Sequence, residues 1–192
     1  MLEQLETLDR QLLLLINGAN TPFLDTLMWT VSGKLVWIPI YAALLYFMWR
    51  KAPKNWWILA ISICVAILLA DTVSVHAFKN VVCRYRPSHN LEIQDIIHLV
   101  NNKRGGLYGF VSSHAANMFS IATFVSLILI KRWLTITMFV WAAIISYSRI
   151  YLGMHYPADV LCGALLGIAA GAVAYKLHQF LTEKYGKQAN EV

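Results

Sequence analysis

Five stretches of the sequence run with almost no charged side chain: residues 34 to 50, 55 to 78, 113 to 130, 133 to 148 and 158 to 181. Each approaches the ~20 residues that carry a helix across the hydrocarbon core of a bilayer. Over 192 residues, 58% are hydrophobic and 14% charged, too apolar for an ordinary soluble domain and short enough for one domain. The expected fold is all-α, an integral membrane bundle of about five transmembrane helices with an N-terminal interfacial amphipathic helix. Residues 1–192 read as a single domain, with an interfacial segment at 1–33, the bundle at 34–181 and a tail at 182–192.

The N-terminus begins with Glu3, Glu6 and Asp9 where a cleaved signal peptide carries basic residues, so the chain is expected to keep its start. Leu5, Leu8, Leu12, Leu15 and Ile16 recur at helical spacing opposite Glu6, Asp9 and Arg10, which suits a helix lying in the membrane interface and ending at Asn17-Gly18. A second apolar piece, Phe23 to Val31, follows Pro22 and lies flat or dips into the bilayer before Gly33-Lys34. Cys64, Cys83 and Cys162 have neither paired spacing nor a metal-ligand pattern and read as small apolar fillers. A net charge of +6 is compatible with nucleic-acid binding, but the basic residues sit at span ends and not on one soluble face, so no nucleic-acid partner is expected.

Short turns make the bundle run up and down, and the turns decide which polar groups meet. About 18 residues from Ser113 to Ile130 rise ~27 Å, turn at Lys131-Arg132, and return by an equal length, so Arg149 lands level with Ser113 and His114. The end of the second span, Lys79 to Arg86, and the start of the fifth, near Pro157, fall on that same side. Arg50, Lys51, Lys54, Lys131, Arg132, Lys176, Lys184 and Lys187 lie opposite, an excess that marks their side as cytoplasmic. The polar clusters then face outward.

Lys79 and Arg86 are seven apart and share a face if helix persists that far, which Pro87 disfavours. Either alone reads as an interfacial snorkelling residue; together with further cations at one level they form an anion clamp, because arginine grips phosphate oxygens in a fork and lysine adds a point charge. Ser112 and Ser113 open the third span as caps, and such helix starts bind phosphate. His114, one position on, is placed to act as a general acid. Pro157 suits a first helical turn, leaving His155 just ahead of it and Asp159 within reach of one imidazole nitrogen. That pair either orients a nucleophile or closes the loop as a structural hydrogen bond.

Lys79 with six residues to Arg86-Pro87, then Ser112-Ser113-His114, then Ser148-Arg149 with five residues to His155 and three more to Asp159, closely resemble the three signature blocks of the type 2 phosphatidic acid phosphatase family. The resemblance covers 79 to 159 by motif and roughly 34 to 181 by span arrangement. It implies that His155 attacks phosphorus to give a phosphohistidine, that Asp159 orients it, and that His114 protonates the leaving alcohol. Lys79, Arg86, Ser112, Ser113 and Arg149 would hold the phosphate oxygens, with no metal and no cofactor. Two departures stand out. The second block usually reads Pro-Ser-Gly-His and here reads Val111-Ser112-Ser113-His114, and many members carry a further N-terminal span where this chain has short amphipathic pieces.

The implied activity is metal-independent hydrolysis of a lipid phosphomonoester or diphosphate in the bacterial inner membrane, with the site facing the periplasm or exterior and the bilayer holding the substrate's acyl or prenyl part. By resemblance the candidates are undecaprenyl diphosphate, phosphatidylglycerol phosphate, phosphatidic acid and lipid A. The long connection Ser88 to Phe110, with Lys103, Arg104 and Gly105-Gly106, reads as a lid, a headgroup reader or a solvated loop, and Arg84, Lys103 and Arg104 supply extra charge for a diphosphate or phosphosugar. Asp71 and His76, inside the second span, read as a structural tether. The rivals are a lipid phosphotransferase and a phosphate-lipid binding or transport protein without hydrolysis.

Overall fold

The computed structural model describes residues 2–33, 35–51 and 53–186, so Lys34 and the tail from Lys187 lie outside the described residues. Helices α1 (Leu2–Gly18) and α2 (Pro22–Ser32) precede α3 (Ile38–Lys51), α4 (Trp56–Val82), α5 (Ser113–Leu129), α6 (Arg132–Tyr151) and α7 (Pro157–Tyr185). The protein is an all-helical integral membrane protein. Helices α4, α6 and α7 are long and apolar enough to cross a bilayer, and α5, at 17 residues, is a shorter apolar helix. The expected first span differs: α3 has only 14 residues, and it reaches spanning length with α2 as a pair bent by 67°. Pro22 at the first turn of α2 and a Thr21 side chain accepting from the Leu24 N–H fix where that pair begins.

Helices α5 and α7 pack most closely, and the sequence shows why. Gly163, Gly167 and Gly171 repeat every fourth residue along one face of α7, where small residues let backbones approach. A Cβ at Gly163 or Gly171 would fall 2.5 Å from the carbonyl oxygen of Ser112 or Ser120, and one at Gly167 closer still to that of Ala116. Gly167→Ala is therefore expected to cost about 1–3 kcal/mol by overpacking, read as a lower unfolding temperature in detergent. An unchanged melting curve would contradict this close seam. On the other flank, Trp37 and Tyr41 meet the edge of Trp141 at 5.5 and 5.7 Å and hold α3 to the bundle. Cys64 and Cys83 are exposed, not core fillers, and all three cysteines are unpaired.

Helix α1 keeps its expected length and its amphipathic pattern, and its polar side packs on the protein. Leu5, Leu8, Leu12 and Leu15 form an exposed stripe, whereas Asp9, Leu13 and Asn17, at i, i+4 spacing, are buried against the protein. Leu13 packs with Ile93, Ile97, Tyr156 and Val160. Asn17 clamps the chain by donating to the carbonyls of Tyr151 at 2.7 Å and His98 at 2.9 Å while its own oxygen accepts from the His98 N–H at 2.8 Å.

Candidate active site

Three segments deliver the site. The first is the end of α4. Its α-helical pattern gives way to a π-helical turn at Ser74–Lys79, a widening that is frequent at functional positions, and the helix closes at Val82 with Cys83 in the left-handed region at φ 52°. Lys79 and Arg86 therefore converge through a turn, and not by sharing a helical face. Lys79 Nζ donates to Ser113 Oγ at 2.5 Å, and the same hydroxyl lies 2.6 Å from Ser74 Oγ. Ser74, which sequence reasoning missed, is buried and buttresses this contact.

The second segment is the start of α5. Ser112 is fully buried; its side chain accepts from the Ala115 N–H and its own N–H donates to the Asp159 carbonyl at 2.9 Å. Its polar groups thus cap α5 and join α5 to α7, which is the plain helix-cap role. His114 and Ser113 line an apolar groove of about 430 Å³ between α3, α4 and α5, whose walls include Tyr41, Leu44 and Ile67. Asp71, from α4, also lines this groove.

The third segment is the turn from α6 to α7, reversed at Gly153 with φ 67°, where a Cβ would also strike Ile97. It presents His155, 1% exposed, ahead of Pro157 and Asp159, which is 0% exposed. His155 Nδ1 lies 3.4 Å from Asp159 Oδ2, and Nε2 lies 3.1 Å from Arg86 Nη1. Since a guanidinium only donates, Nε2 is assigned as the acceptor and Nδ1 as the protonated nitrogen facing Asp159. Burial first, then the positive charges of Arg86, Arg149 and Lys79, hold the His155 pKa well below the usual histidine value near 6.5, so this imidazole is neutral at pH 7.

Arg86 is half-committed to the fold: Nε donates to the Tyr108 carbonyl and Nη1 to that of Met154, both at 3.2 Å. Arg149 donates to Ser32 Oγ, while its buried Nε has no protein acceptor among the described residues. A buried guanidinium N–H of this kind is one that an anion can satisfy. A recess of about 210 Å³ beside it is lined by Trp29, Ser32, Lys103 and Met154.

The long connection is tied down. Arg86 N–H donates to the Leu107 carbonyl and Gly109 N–H to that of Arg84, so its far end pairs back on the first segment. Gly109 passes so near the His155–Asp159 pair that a Cβ there would stand 3.0 Å from Asp159 Oδ2. Lys103 keeps its place near the site, but Arg84 does not face a headgroup. It lies behind Asp159, with Nη1 on Asp159 Oδ1 at 2.9 Å and Nη2 on Asp9 Oδ2 at 2.7 Å. Asp9 was not read from the sequence as part of this cluster; what the sequence does carry is its i, i+4 spacing with Leu13 and Asn17.

The family profile described as the PAP2 superfamily matches residues 55–183. A lipid A 4'-phosphatase of Bacteroides thetaiotaomicron is 41% identical over 190 residues, covering 96% of this chain and 83% of that protein. A lipid A 4'-phosphatase of Porphyromonas gingivalis is 32% identical over 185 residues, covering 96% of this chain and 78% of its own length. Among solved structures, Aquifex aeolicus LpxE superposes with a TM-score of 0.62 at 28% identity, over 88% of this chain and 95% of that one.

Proposed function

The chain belongs to the PAP2 superfamily, and from that premise we propose that it is a metal-independent membrane phosphatase that removes a phosphate from a lipid headgroup through a phosphohistidine on His155. The observation that carries this reading is the environment of His155: a buried neutral imidazole whose Nδ1 faces Asp159 and whose Nε2 points at Arg86. A phosphate gripped by Arg86 meets that nitrogen directly. Lys79 and Arg149, whose charges also reach His155, complete the clamp, with Ser113 aiming the Lys79 ammonium and Ser112 capping the helix beneath. Such preorganised positive groups stabilise the charge on the transferring phosphoryl group.

In the first step the Nε2 lone pair forms a bond to phosphorus as the ester P–O bond breaks, and the departing alkoxide takes a proton from His114. In the second, water attacks phosphorus while His114 takes its proton, the P–N bond breaks, and orthophosphate leaves. The position of His114 on the groove between α3, α4 and α5 supports this assignment, because the leaving alcohol carries the lipid and the groove is apolar. The similarity to two lipid A 4'-phosphatases favours a glycolipid phosphomonoester of the lipid A class over the other candidate lipids. The basic residues at the far ends of the spans favour an inner-membrane orientation with the site outside.

The deciding experiment is orthophosphate release by the detergent-purified protein from lipid A, phosphatidic acid, phosphatidylglycerol phosphate and undecaprenyl diphosphate, with EDTA present. Release that survives EDTA is the expected result; no release from any lipid by folded protein overturns the reading. The depressed His155 pKa gives a second expectation. The acid limb of kcat/KM, which reports the free enzyme, lies below pH 6.5, because the nucleophile stays unprotonated into acid. A limb at or above 6.5 would mean that a different group, or an unburied His155, limits the reaction.

A further inference from the structure

Two charged residues beside the site have no part in the chemistry above, yet both are held by short, well-directed contacts: Asp9 and Arg84. We propose that they are positioning residues for the nucleophile, a two-link strut by which helix α1 fixes Asp159 and, through it, the tautomer and aim of His155. This rests on His155 being the attacking group.

The geometry runs in one line. Arg84 places one terminal nitrogen on each carboxylate, Nη1 on Asp159 Oδ1 at 2.9 Å and Nη2 on Asp9 Oδ2 at 2.7 Å, with its guanidinium 4.0 Å above the Tyr156 ring. A planar fork stacked on an aromatic face holds both carboxylates at a set distance, which a lysine cannot do. Asp9 is 8% exposed, and its other oxygen accepts from the Ala158 N–H at 2.8 Å, one of the donors that the first turn of α7 leaves without a helical partner. Asp159 is then fixed at both oxygens, Oδ1 by Arg84 and Oδ2 by the Tyr156 N–H at 3.1 Å, with His155 Nδ1 at 3.4 Å. A carboxylate immobilised in this way presents one acceptor to the imidazole and keeps its proton on Nδ1, leaving Nε2 free for phosphorus.

Docking of α1 does not by itself require this strut. Asn17 clamps the C-terminal end of the helix, and Arg10 pairs with Glu92 on the long connection. That pair supplies the control. In detergent, kcat, KM and unfolding temperature are measured for Asp9→Asn, Asp9→Glu, Arg84→Lys and Arg10→Gln, and Asp9→Asn is repeated in the Asp159→Asn background. Asp9→Asn and Arg84→Lys are expected to lower kcat about 10–100-fold, the usual cost of removing an outer-shell partner, with KM within about twofold. Asp9→Glu restores part of the loss, Arg10→Gln leaves kcat within about twofold, and Asp9→Asn adds nothing once Asp159 is gone.

Folded Asp9→Asn protein with wild-type kcat, an equal loss in Arg10→Gln, or a full multiplicative loss in the double variant would each overturn the strut. The ¹⁵N spectrum of the His155 ring tests it without turnover. Asp9→Asn is expected to raise the fraction protonated on Nε2, and an unchanged spectrum overturns the proposal whatever the activity. A wild-type protein that releases no phosphate, with a ring spectrum that does respond to Asp9→Asn, overturns instead the reading of His155 as nucleophile.

Discussion

His155→Gln is expected to lower phosphate release by about a million-fold, the scale seen when the nucleophile of an interdependent catalytic set is removed. Glutamine is the informative replacement because the site is buried: its carbonyl oxygen still gives Arg86 Nη1 an acceptor, so the clamp is not left with an unpaired donor. Lipid-phosphate binding is therefore retained while the acid-labile phosphoenzyme, trapped by rapid quench from labelled substrate, disappears. The pH dependence of stability supplies an independent sign. His155 has its folded pKa lowered by burial and by three neighbouring cations, so its contribution to stability is present above pH 6.5 and is lost as pH falls below that value toward the folded pKa. Unfolding temperatures at pH 7 and pH 5 should differ less for His155→Gln than for wild type. A variant that still forms phosphoenzyme would remove His155 from the role of nucleophile.

The parts of this site that were legible in the sequence are those fixed by helix arithmetic. The rise from Ser113 to Ile130, the turn at Lys131-Arg132 and the equal return place Arg149 level with Ser113; in the fold Arg149 and the Lys79 that Ser113 holds both act on His155 through their charge. Pro157 marked the start of α7 because proline fits a first turn, and from that start the approach of Asp159 to His155 follows. What escaped was set by tertiary contact. The π-helical turn at Ser74–Lys79 leaves no mark in hydrophobic periodicity, so the sequence offered only a conditional shared helical face for Lys79 and Arg86, and the contact of Lys79 with Ser113 was not visible in it. Asp9 looked like part of a wet face because an amphipathic pattern separates polar from apolar without saying which side meets protein. In a helix at a membrane surface the leucine stripe faces lipid and the polar side faces the bundle, reversing the rule learned from soluble helices. Arg84 was misread for a related reason: a cation near a phosphate site reads as a ligand until the carboxylates behind it are seen.

Asp159→Asn is expected to cost about 10⁴ in kcat, the magnitude found when a buried carboxylate that orients a catalytic histidine becomes an amide. The argument is about tautomer more than charge. Asp159 accepts only, and at Oδ2 it faces His155 Nδ1 and the Tyr156 N–H. An amide at this position keeps Arg84 satisfied by turning its oxygen toward Nη1, because that guanidinium can only donate. Its NH₂ then turns toward His155 at the cost of the acceptor that the Tyr156 N–H had, Nδ1 becomes the acceptor, and the imidazole proton moves to Nε2, the nitrogen that must attack. The variant should thus fold, bind lipid phosphate with KM near wild type, and fail at phosphoryl transfer, with its ring ¹⁵N spectrum inverted relative to wild type. Alanine at the same position removes the donor as well as the acceptor, freeing the ring to sample both tautomers, and is expected to retain more turnover than asparagine. An asparagine variant more active than alanine would show that Asp159 serves chiefly to close the loop before α7.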